Sequence, residues 1–162
     1  MHILINKNYL IYNKLKVKCA IGKKGIDYKK KEGDLITPRG KFKIKYVLYR
    51  KDRVKILTKL KKKVIKKNMG WCDDPKSSQY NKLVKLPFAY KYEKLFRKEN
   101  VYDIILILNY NMNPVKKNKG SAIFIHVAKK SFQPTQGCIA LNKRVLIKLL
   151  KLIKKNTLVK II

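Results

Sequence analysis

Acidic residues are scarce in this chain. Nine aspartates and glutamates stand against 42 lysines and arginines in 162 residues, a formal net charge of +33. Arginine is scarce as well, at five of those 42: Arg39, Arg50, Arg53, Arg97 and Arg144. Base readers and phosphate clamps draw on arginine's planar fork, so a lysine-dominated surface argues against specific nucleic-acid recognition. Lysine, isoleucine, asparagine and tyrosine are abundant together, as in the codon usage of an AT-rich genome, with lysine placed wherever a solvated residue will do. The field still draws anionic polymers and carboxylates at low salt. No stretch approaches the roughly 18 apolar residues of a membrane span. The opening "MHILINKNYLIYNKLKVKC" has no uninterrupted apolar core and no small-residue cleavage site, so no signal peptide is read from it. Cysteines are few, at Cys19, Cys72 and Cys138, with no CxxC or CxxH spacing. That argues against a zinc site, and an odd number cannot all pair. One reactive thiol and two structural ones fit the count.

What is present reads as a folded, mainly β chain. Apolar residues make up 46%, enough for a core, and no linker or repeat divides residues 1–162, so a single domain is expected. In "KLKVKCAI" lysines alternate with Leu15, Val17 and Cys19, the period of a half-buried strand, and this places Cys19 in the core. "KFKIKYVLY" repeats the period, with Phe42, Ile44 and Tyr46 expected on one face. Residues 54–68 read as a strand and an exposed hairpin, 70–81 ("GWCDDPKSSQYN") as a loop, and "EKLFRKEN" as a short helix. "YDIILILNY" is a continuous apolar run, the mark of a strand buried on both faces. In "SAIFIHVA" the strand period puts Ala122, Phe124, His126 and Ala128 on one face. Leu146, Leu149, Leu150 and Ile153 switch to helical spacing, which predicts a helix over about 143–155, opened by Asn142 and ended near Asn156. "TLVKII" closes the chain as a strand.

The stretch "HVAKKSFQPTQGCIAL", residues 126–141, brings a histidine at a strand end near a cysteine that follows a glycine turn. A cysteine nucleophile needs a base to take its proton, and a strand aims a base well. Gly137 lets the backbone turn just before Cys138, and N–H groups of such a turn can stabilise an oxyanion. The same spacing also describes a core histidine and a core thiol that happen to be neighbours. Cys72 is the weaker nucleophile, because Asp73 and Asp74 beside it oppose a thiolate. Trp71 and Tyr80 are candidates to line a substrate groove or to pack a loop. Tyr110 and Asn111 are candidates to face the site from the preceding strand.

Three elements in order resemble the L,D-transpeptidase catalytic domain family (YkuD-type). Thr135, Gly137, Cys138 and Ile139 match its Ser/Thr-x-Gly-Cys-aliphatic signature, and His126 matches its upstream strand histidine. Thr37, Pro38, Gly40, Phe42 and Ile44 match its Thr-Pro-x-Gly-x-Phe-x-Ile stretch. "GWCDDP" followed by "YN", with "GSAIF" and "HVA", resembles a short stand-alone bacterial branch. Gln136, Ala140 and Val127 depart from common choices in the family. Ala140 leaves out a polar group expected at the donor peptide, which Arg144 or a lysine would have to supply. The resemblance implies a mainly β sandwich or barrel with one packed C-terminal helix. It implies acyl transfer on peptidoglycan stem peptides, with Cys138 as nucleophile, His126 as base, and Gly137 and Thr135 shaping the oxyanion turn. It implies no metal or cofactor and work at the cell envelope, while the lack of a readable signal peptide leaves the cytoplasm open; no membrane span, no specific nucleic acid and a monomer are expected. The rival readings are a basic anionic-polymer or nucleic-acid binding module on an inactive scaffold, and a thiol hydrolase of other peptides.

Overall fold

The computed structural model describes residues 2–162. The chain opens as an antiparallel meander of β1 (His2–Asn6), β2 (Tyr9–Tyr12) and β3 (Leu15–Ala20). Ile3, Ile5, Leu10 and Cys19 are buried while Lys16 and Lys18 are exposed, as the period-two pattern requires. A short parallel pair follows, β4 (Ile26–Asp27) with β5 (Thr37–Pro38), then the long β6 (Gly40–Tyr49) and β7 (Lys62–Val64). Next come β8 (Met69–Cys72), β9 (Leu83–Lys85) and β10 (Tyr92–Lys94), a separate sheet in the order β10-β8-β9. The chain ends with β11 (Ile104–Leu108), β12 (Phe124–Val127), β13 (Ile139–Leu141), the helix α1 (Lys143–Leu152) and β14 (Leu158–Ile161).

The main sheet runs β11-β12-β13-β3-β2-β1-β14-β6-β7, and a further pairing of β6 with β11 joins its ends. The sheet therefore closes on itself as a barrel, with β7 as a side branch. Closure removes free edges. One core fills the face that α1 covers: Ile3, Ile5, Leu106, Ile125 and Val159 meet Leu146, Leu149 and Leu150 of the helix. A second core lies on the opposite face of β11 and β12, where Ile105, Ile107 and Phe124 meet Trp71, Leu95 and Tyr102. β11 is thus covered on both sides, which explains its unbroken apolar run.

Several elements differ from expectation. Tyr46 packs against the second core, whereas Phe42 and Ile44 face the first. A register shift opposite Ile107 and Leu108 inserts an extra residue at Lys45 and turns the rest of β6 over. Residues 54–61 form no hairpin; Val54, Ile56 and Leu60 bury as irregular chain, and β7 runs parallel to β6. The loop expected at 70–81 begins as strand β8, with Trp71 and Cys72 buried. "EKLFRKEN" is no α-helix: β10 pairs with β8, Leu95 is fully buried, and one 3₁₀ turn follows at Asn100–Tyr102. Strand pairing and the burial of Leu95 outweigh local helix propensity there. Helix α1 starts as expected, with Asn142 Oδ1 accepting the Arg144 N–H at 2.9 Å. It ends at Leu152 rather than near Asn156, because Ile153 turns extended and its side chain stays in the core.

Candidate active site

β12 and β13 run parallel, with His126 opposite Ala140 and Ile125 opposite Ile139. Cys138 immediately precedes β13, so it is a diagonal neighbour of His126 on the same face. Both side chains line one cavity of about 410 Å³, on the face of the second core. Both are half-buried. No hydrogen bond joins them: Cys138 Sγ donates to the Ala122 carbonyl at 3.0 Å and accepts from the Phe124 N–H at 3.4 Å. His126 Nδ1 lies 2.9 Å from the Val127 carbonyl. A proton on Nδ1 satisfies that oxygen and leaves the lone pair of the neutral ring on Nε2. Tyr102 holds the ring edge-on, with centroids 5.4 Å apart.

Electrostatics make the resting pair neutral. Burial lowers His126 to about 4, Arg97 and Lys129 push the same way, and the carbonyls of Val127 and Val101 oppose them. Burial raises the Cys138 thiol to about 12, and the Glu93 carboxylate adds to the rise. Cys19 is buried in the first core, and burial raises it to about 12. Cys72 is fully buried.

The turn before Cys138 is clamped from several sides. Thr135 Oγ1 donates to the Cys138 carbonyl at 2.6 Å and accepts the Gly137 N–H at 3.1 Å. Thr135 N–H donates to the Ile21 carbonyl, and Lys23 N–H to the Thr135 carbonyl, beyond the end of β3. Gly137 has φ +137°, and a Cβ there would stand 2.8 Å from the Ile36 carbonyl oxygen. Thr37 is fully buried beneath the turn; its Oγ1 accepts the Gly22 N–H at 2.7 Å and donates to the Gly137 carbonyl at 2.9 Å. Sequence reasoning used Thr37 only as part of a matched motif. The motif is the signal that could have placed it at the site.

None of the remaining candidates lines the cavity. Trp71 is buried edge-on to Phe124, and its Nε1–H donates to Asn81 Oδ1 at 3.1 Å. Tyr80 is buried, and its hydroxyl donates to Glu32 and accepts the Gly120 N–H. Tyr110 donates to the Lys119 carbonyl, and Asn111 closes its own loop through the carbonyls of Lys116 and Gly120. Arg144 is exposed in the first turn of α1, away from the cavity lining, so it does not supply the polar group that Ala140 lacks. Asn81 was missed. Its side chain takes the Trp71 and Ala122 N–H groups and donates to the carbonyls of Tyr110 and Asn111. Ala122 itself sits at φ +53°. Asn81 thus holds the residue whose carbonyl receives the Cys138 thiol, which gives "GW", "YN" and "SA" one shared task.

The family model of the L,D-transpeptidase catalytic domain (YkuD) matches residues 2–161, so the chain belongs to that family. The family acts on peptidoglycan. No curated protein matches the chain significantly. Among the described residues no helix is long and apolar enough to cross a membrane, and no cluster of His, Cys, Asp and Glu side chains could hold a metal ion.

Proposed function

We propose that residues 1–162 act as one catalytic domain, a cysteine-dependent acyl transferase working on peptidoglycan stem peptides at the cell envelope. The observation that carries this reading is the convergence of Cys138 and His126 on one cavity, from adjacent parallel strands, with the imidazole oriented by the Val127 carbonyl. The resting thiol points its proton at Ala122. Rotation about its Cα–Cβ bond turns it toward the imidazole, which accepts the proton as sulfur attacks the donor carbonyl. A neutral histidine is the form this step needs. The Gly137 N–H is occupied by Thr135, so Cys138 N–H is the turn's donor to the oxyanion. The imidazolium then protonates the leaving amine, the terminal D-residue departs, and a thioester remains. An amine resolves it to a cross-link, or water to a shortened peptide.

The binding-module reading is weaker, since four carboxylates face this cavity and repel a polyanion locally. The test is mass spectrometry after incubation with a disaccharide-tetrapeptide. An acyl adduct on Cys138 with release of the terminal D-residue is expected, absent in Cys138→Ala and slowed in His126→Ala. A chain that stays unmodified while it cleaves or binds nothing would overturn the proposal.

A further inference from the structure

The cavity gathers charge of the sign the chain otherwise avoids. The protein has nine acidic residues, and four of them, including all three glutamates, line this one cavity: Glu32, Asp73, Glu93 and Glu99. Three basic groups line it as well; two of them are paired with carboxylates, and Lys129 stands exposed on the His126 side. Lys29 is buried against Asp34, and Arg97 lies between Glu93 at 3.6 Å and Glu99 at 3.2 Å. Glu32 meets the Tyr80 hydroxyl. Asp73 meets Lys91 at 3.7 Å, and that lysine side chain is 73% exposed, so solvent screens the pair.

Two buried oxygens in this corner have no hydrogen-bond partner, Asp73 Oδ1 and Ser121 Oγ. Ser121 is only 5% exposed and lines the cavity. Unsatisfied buried polar atoms are rare, and each costs free energy until it finds a hydrogen-bond partner. The Tyr80 hydroxyl links the corner together, since it donates to Glu32 and accepts from Gly120, next to Ser121. Burial raises the Asp73 carboxyl, Lys91 opposes the rise, and the nearby Glu32 carboxylate adds to it. The corner therefore presents negative charge and open acceptor positions beside the Tyr80 and Ser121 hydroxyls.

We infer that Asp73, Glu32 and Ser121 form a binding corner for a substrate ammonium group, and that this group is the amine that resolves the thioester. This rests on the reading of Cys138 as the acylated residue. An ammonium has three N–H donors and no acceptor, the complement of the corner's carboxylates, and the Ser121 hydroxyl can accept from it. On a chain of net charge +33 a cation is repelled elsewhere, so local carboxylates are what a cationic acceptor needs. The corner also adjoins the sulfur, because Ser121 precedes Ala122, whose carbonyl receives the thiol. In the step, the ammonium gives one proton to a corner carboxylate. The freed lone pair bonds to the thioester carbon and the C–S bond breaks. A second nitrogen proton passes through His126 to the sulfur, and the third stays on the new amide.

The test uses the full chain as Cys138→Ala, which cannot be acylated, followed by NMR during titration with Nα-acetyl-lysine amide. The neutral Nα,Nε-diacetyl-lysine amide is the comparison. Saturable shifts centred on residues 32, 73 and 121, in the millimolar range, are expected for the ammonium probe, with the neutral probe about tenfold weaker or more. Asp73→Asn should weaken binding about tenfold and Ser121→Ala several-fold, while Asp27→Asn, an exposed carboxylate on β4, changes nothing. Equal binding of the two probes, or unchanged binding in both Asp73→Asn and Ser121→Ala, overturns the corner. If wild-type protein forms the acyl adduct yet shows no ammonium preference, the corner alone fails. If the ammonium binds there and no adduct ever forms, the corner stands and the thioester reading fails.

Discussion

Replacing Thr37 by valine deletes one oxygen and little volume. That oxygen satisfies two backbone groups in the interior, the Gly22 N–H at 2.7 Å and the Gly137 carbonyl at 2.9 Å. Thr37 is fully buried, so water does not reach either group when the hydroxyl is gone. Each orphaned group costs about 1–3 kcal/mol, so the two together give a loss of about 2–6 kcal/mol for Thr37→Val. With a urea slope of about 2 kcal/mol per molar, the midpoint should fall by about 1–3 M at unchanged slope. Thr37→Ser keeps the oxygen and loses a methyl group, so it should cost about 1 kcal/mol. The same ordering should hold for acylation of Cys138, because the Gly137 carbonyl fixes the turn that carries it. Valine should slow adduct formation and serine restore most of it, each measured where the variant is fully folded. A valine variant within about 0.5 kcal/mol of wild type would falsify the clamp.

Acid should probe His126 directly. The unfolded imidazole titrates near 6.5 and the folded one near about 4, so its contribution is intact above 6.5 and is lost as pH falls toward 4; the gap is worth about 3 kcal/mol. Urea midpoints followed across that window should fall more steeply for wild type than for His126→Gln, and parallel profiles would refute the assignment. Gly137→Ala combines a φ of +137° with a Cβ contact of 2.8 Å to a backbone oxygen, whereas Gly33→Ala at φ +71° has open space around it. Thermal melts should show about 1–2 kcal/mol lost for Gly33→Ala and clearly more for Gly137→Ala; equal losses would remove steric contact from the account.

The parts of this fold that were legible in the sequence are those whose burial is decided locally. Leu146, Leu149 and Leu150 repeat at helical spacing and lie on the buried face of α1. Ile104 to Leu108 are all buried, as an apolar run covered on both sides demands. Phe124 and His126 share a face, as alternation requires. What stayed hidden was decided by partners distant in sequence. Lys45 gives no sign that it is the extra residue of a bulge, since that depends on how β6 meets β11. Glu93 looks like a solvated charge on a helix, yet pairing of β10 with β8 brings it to the cavity. The cysteine and histidine could be singled out from motifs, but the Ala122 carbonyl that receives the thiol could not, because a backbone group has no letter of its own.

The last strand of the barrel has a consequence for synthesis. β14 lies between β1 and the first half of β6, parallel to one and antiparallel to the other. No earlier segment pairs with those edges in the finished ring, so both stay open until residues 158–161 have left the ribosome. During that interval the nascent chain presents strand edges of the kind that recruit neighbouring chains. Lys41 and Lys43, exposed on the stretch of β6 that waits for β14, set like charges along that edge. Like charge along an open edge disfavours edge-to-edge pairing with another copy of the chain.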